Sequence, residues 1–81
     1  MRNNPTSGEI WHHFKNRDYE ILAIATHTET REKLVVYKAL YGDYGIYACP
    51  LTMFMSEVDH EKYPDVEQHY RFEKKSPVTE R

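Results

Sequence analysis

The side chains of this chain that could do chemistry are five histidines, one cysteine, scattered carboxylates and a dense set of aromatics. His12 and His13 are adjacent, and on a strand adjacent residues point to opposite faces, so they cannot serve one ligand together. His27, His60 and His69 complete the set without a His-x-x-x-His or Cys-x-x-Cys spacing, and no metal or cofactor site is expected. Cys49 precedes Pro50 and could act as a nucleophile only with a lowered pKa, for which the sequence supplies no neighbouring cation; an inert packed thiol is the expectation. Glu29 with Glu32, and Asp43 with Asp59, read as solvated surface charge, since acid/base work needs a pocket that perturbs the carboxylates.

The aromatics are more informative. Trp11, Tyr37, Tyr41, Tyr44 and Tyr47 fall on neighbouring predicted strands and turns, near His13 and Lys15. Gathered on one rim, such rings with interleaved donors bind bases, sugars, peptides or modified side chains. Buried, they fill a core short of large aliphatics. The candidate ligand-binding residues are Trp11, His13, Lys15, Glu29, Tyr37, Tyr41 and Tyr44, and no catalytic residue is assigned.

The elements that must position them are short strands. Glu9 to Phe14 reads as a first strand and Lys15 to Asp18 as a turn. Tyr19 to Thr26 alternates, with Tyr19, Ile21, Ala23 and Ala25 on one face and both faces largely apolar, which predicts a central strand. The polar stretch 27–32 joins it to a strand from Lys33 to Tyr41. Gly42 and Gly45 supply positive φ for the next turn, and Ile46 to Cys49 follows as a strand. Pro50 opens a helical turn, expected as 3₁₀, that sends Leu51 and Phe54 into the core. A strand over 56–60, a polar loop over 61–68 and a last strand from His69 to Glu73 complete the order. The fold class is mainly β, a small SH3-like barrel or a strongly bent antiparallel sheet with one helical turn.

Length and charge narrow the function. An 81-residue chain supports one core; residues 1–7 are expected to be a flexible leader, 8–75 the domain and 76–81 a flexible tail. A lone cysteine and no apolar leader or span point to the cytoplasm. The net charge of −2 is unevenly spread: over 42–68 six acids face Lys62 alone. Without a basic face, non-specific nucleic-acid binding is not expected.

Gly8, His13-Phe14-Lys15, Tyr19-Glu20, Glu29-Thr30, Val35-Val36-Tyr37, Leu40-Tyr41-Gly42 and Pro50-Leu51-Thr52-Met53-Phe54 occur in an order and spacing that resembles an uncharacterised bacterial family, domain-of-unknown-function family 1653, from residue 8 to about 58. The resemblance implies no assigned activity. The family pattern has glycine where Asn16 stands and arginine where Cys49 stands. Asn accepts left-handed geometry, so the first change is mild; the second removes a fork of donors.

Three functions follow from these readings. The leading one is a non-catalytic binding module whose aromatic and polar rim takes a peptide, nucleotide or small ligand. The others are a small hydrolase or nucleotide-modifying enzyme pairing His13 with Glu29 or Asp43, and an assembly protein in which a strand edge or aromatic patch joins two copies.

Overall fold

A computed structural model describes residues 3–75; the tail expected over 76–81 lies outside the described residues. The strands are β1 (Ile10–His13), β2 (Arg17–Thr26), β3 (Lys33–Ala39), β4 (Ile46–Pro50) and β5 (Phe72–Lys74), with the single-turn helix α1 (Leu51–Phe54) after β4. They form one antiparallel sheet in the order β4-β3-β2-β1-β5. Consecutive strands pair through local turns, and the long excursion after β4 brings β5 back beside β1. The sheet is mainly β as expected, but it does not close into a barrel, because β4 and β5 end at opposite edges.

Each hairpin has a visible local cause. Asn16 closes β1 onto β2 at φ 66°, the left-handed geometry its short amide tolerates. The β2–β3 loop folds on His27, whose Nδ1 accepts the N–H of Glu29 at 3.1 Å. In the β3–β4 turn Gly42 takes φ 58° as expected, but the second positive φ falls on Tyr44, also 58°, and not on Gly45. Gly45 is needed for space: a Cβ there would sit 2.9 Å from the Tyr47 hydroxyl.

One break in β2 changes which side chains face the core. The register passes from Ile21↔Tyr37 to Ala23↔Val36, leaving Leu22 as the extra residue of a bulge. The expected alternation therefore fails after Ile21: Ala23 is exposed, and Ile24, which pairs with the buried Val35, is itself 39% exposed. The core is Trp11, Ile21, Val35, Phe54 and Phe72, with Tyr19, Tyr37, Cys49, Leu51 and Met55 packed on it. Helix α1 is α rather than 3₁₀ and has no side-chain cap; a single turn persists because Phe54 is fully buried and stacks on Phe72 at 4.0 Å.

Other expectations are corrected at the ends. Residues 56–60 do not form a strand, contributing only the isolated bridge Glu57↔Tyr70, and the last strand is Phe72–Lys74 rather than 69–73. The 61–68 loop is tied down instead by Gln68, whose amide donates to the carbonyls of His12 at 3.0 Å and Tyr70 at 2.8 Å. The packed chain begins before Gly8, since Pro5 is fully buried. Among the described residues no helix is long and apolar enough to cross a membrane.

Candidate functional site

Alternation on the sheet gathers aromatic and polar groups at the end where β2 begins and β3 finishes. Tyr19 of β2 meets Tyr37 edge to face at 5.1 Å, Tyr41 at 5.7 Å and Phe72 at 5.7 Å. Tyr37 continues to Tyr47 at 5.9 Å on β4. The rings thus run in a row from Tyr41 through Tyr19 and Tyr37 to Tyr47, with Phe54 and Phe72 beneath. The hydroxyls of Tyr19 and Tyr41 share a hydrogen bond of 2.8 Å. The Arg17 guanidinium lies over the Tyr41 ring at 4.5 Å, a cation–π contact at the outer end of the row.

Burial holds the two inner hydroxyls of the row, Tyr19 and Tyr37, in the neutral form. Burial pushes the Tyr37 hydroxyl up to about 12, helped by the neighbouring Cys49 thiol. Tyr19 is raised further, again mainly by burial and then by its bond to Tyr41. Cys49 is half-buried, and burial raises its thiol despite the opposing influence of Tyr37 and Arg71, so it is not a thiolate at neutral pH. Arg71 brings a guanidinium within electrostatic reach of both Cys49 and His13, from the chain just before β5.

His13 is inner packing. It stacks on Phe14 at 4.5 Å and meets Phe72 edge-on at 4.8 Å, while its Nδ1 accepts the Lys15 N–H at 3.1 Å. Burial, then the charges of Arg71 and Lys15, push its pKa down to about 4. It is neutral at pH 7, and among the described residues no carboxylate is hydrogen-bonded to it. The carboxylate partner belongs to His12 on the opposite face, where Nδ1 lies 2.7 Å from Asp18 Oδ1 and Lys75 Nζ holds Asp18 Oδ2 at 2.9 Å. That trio ties β1, β2 and the end of β5 together.

The candidate residues therefore separate. Tyr37, Tyr41 and His13 meet around Tyr19 and Phe72, and Tyr44 occupies the same turn as Tyr41, its N–H donating to the Tyr41 carbonyl at 3.0 Å. Trp11 is buried in the core, where its indole N–H donates to Glu9 at 2.9 Å. Lys15 is exposed, and its ammonium lies 5.6 Å from the Tyr63 ring, away from the tyrosine row. Glu29 is at the β2–β3 tip, the far end of a ten-residue strand and about 30 Å from Tyr41. Missing from the sequence reading were Arg17, Tyr19 and Phe72. For Tyr19 the signal was available in its alternation with Ile21, but only pairing with β3 shows that it faces the other tyrosines. Among the described residues no group of three or more His, Cys, Asp or Glu is placed to hold a metal.

No curated protein matches the chain. The crystal structure of a protein from Bordetella bronchiseptica belonging to DUF1653 is similar to it, with 28% identity over 91% of this chain and 92% of that chain and a TM-score of 0.71. The family model described as protein of unknown function (DUF1653) matches residues 9–74, so the open five-stranded sheet and its tyrosine row are those of a member of the DUF1653 family.

Proposed function

We propose that this domain is a non-catalytic binding module of the cytoplasm, whose rim of Arg17, Tyr41, Tyr44 and Tyr47 takes a planar ligand carrying an anionic group, as a nucleotide does. The observation that carries the reading is Tyr44. A bulky side chain in the left-handed region costs about 1–2 kcal/mol, yet Tyr44 holds φ 58° and remains 55% exposed. Strain kept where it builds no core is characteristic of a contact surface. Exposed tyrosine faces supply stacking that tolerates any base, and Arg17 supplies the fork of donors that phosphate or carboxylate requires. An enzyme built on His13 is disfavoured by its neutral, aromatic surroundings and by the absence of a bonded carboxylate among the described residues.

The test is a melting-temperature screen with nucleoside monophosphates, free sugars and a proline-rich peptide, followed by titration of Tyr44→Gly and Arg17→Ala against whichever probe raises the melting temperature. Tyr44→Gly leaves stability within about 1 kcal/mol of the parent, since glycine relieves the left-handed strain but adds freedom to the unfolded chain, and it abolishes the shift. A variant that still binds as the parent does, or no response to any probe, overturns the reading.

A further inference from the structure

We propose that two copies of this chain pair antiparallel along the β4 edge, joining their sheets through Ile46 and Ala48 with Tyr47 facing Tyr47 across the two-fold axis. The proposal shares Tyr47 with the ligand-binding rim but needs no ligand, and it rests on the hydrogen-bond alternation of β4. Ala39 donates to the Gly45 carbonyl at 2.8 Å, which makes 39 and 45 a hydrogen-bonded pair of the antiparallel ladder. The register then makes Tyr37↔Tyr47 and Val35↔Cys49 hydrogen-bonded pairs too, so the main-chain groups of Tyr47 and Cys49 are spent on β3. Those of Ile46 and Ala48 point away from the sheet, where β4 has no neighbour among the described residues. Pro50 carries no N–H, so Ile46 and Ala48 are the residues of β4 that offer both donor and acceptor on this side.

A second copy satisfies this edge in one register. Ile46 of each copy opposite Ala48 of the other closes every free donor and acceptor of those residues, whereas Ala48 opposite Ala48 would set Ile46 against Pro50 and lose bonds. Side chains agree with the main chain. Ile46 is 62% exposed and Tyr47 50%, and Ala48 is exposed as well, so the first three residues of the strand are uncovered. Charge also permits self-pairing: residues 46–50 carry none, so the two-fold sets no like charges opposite. Edges are normally blunted by charge or bulges. The other edge is blunted in that way, with Glu73, Lys74 and Lys75, while β4 is bare up to Pro50.

The test is sedimentation of the full chain without ligand, in a concentration series up to about 1 mM, with three variants. The parent sediments as a dimer at the upper end. Ala48→Pro, whose missing N–H faces away from β3, keeps the parent's circular dichroism and sediments as a monomer. In a Cys49→Ser background, Tyr47→Cys oxidises to a covalent dimer, because directly opposed residues of a non-hydrogen-bonded pair lie about 4.5 Å apart at Cα, while Ala48→Cys, which faces Ile46 of the second copy, does not. A parent that remains monomeric throughout overturns the proposal. So does a folded Ala48→Pro that is still dimeric, or cross-linking at position 48 as efficient as at 47. If Ala48→Pro fails to fold, the two cysteine variants decide. A parent that dimerises yet gives no melting-temperature response to any probe refutes the rim alone.

Discussion

His13 should make the protein acid-sensitive by an amount that can be worked out. In the folded chain its pKa is about 4, against an ordinary value of 6.5, because burial among Phe14, Phe72 and Tyr19 removes the water that an imidazolium needs and Arg71 repels it. The unfolded chain therefore takes up the proton first as pH falls. The stability held by neutral His13 is complete above the unfolded pKa and is lost as pH drops from 6.5 toward 4. Each pKa unit corresponds to about 1.4 kcal/mol, so moving from about pH 7.5 to about pH 5 costs roughly 2 kcal/mol through this residue. His13→Phe keeps an aromatic ring in the packing and removes the titration. Urea denaturation of parent and variant at both pH values isolates the term, because acid losses at Asp18 and Glu9 are common to both chains. The parent's stability should fall by about 2 kcal/mol more than the variant's. Equal falls, or a His13 imidazole that titrates near 6.5 by NMR in the folded protein, refute the burial argument.

Two further outcomes test the packing. Tyr37→Ala removes a ring in contact with Tyr19, Tyr47, Phe54 and Phe72 and should destabilise by about 2–4 kcal/mol in chemical denaturation; Tyr37→Phe keeps the ring and should cost no more than about 1 kcal/mol. A loss within about 0.5 kcal/mol for the alanine variant would make Tyr37 a surface residue. Asn16→Gly should be nearly neutral and Asn16→Ala should cost about 1 kcal/mol, since alanine resists φ 66°; equal melting temperatures would show that the turn is not strained.

Local chemistry explains why much of the fold was legible. Lys33 to Ala39 is β-branched and aromatic enough to be a strand in any context, Asn16 and Gly42 name their turns, and Pro50 with Leu51 and Phe54 announces one helical turn anchored by an aromatic. The family resemblance needed no structure either, because it rests on spacing alone. The bulge at Leu22 had no such signature. It is a choice of pairing between β2 and β3, and it decides that Ile24 rather than Ala23 stands opposite the buried Val35.

The candidate site divides along the same line. That tyrosines would cluster near Tyr41 was readable from their density between positions 37 and 47. That Tyr19 and Phe72 complete the row, that Trp11 is core, and that Glu29 is a strand's length away were decided by strands pairing across sequence separations that no local pattern encodes. The sequence by itself determined the first four strands and the helical anchor, because these depend on residues a few positions apart. Only the tertiary structure decided that β5 returns to β1, leaving the sheet open with a bare β4 edge, and that His13 is neutral, because both follow from which distant segments exclude water from one another.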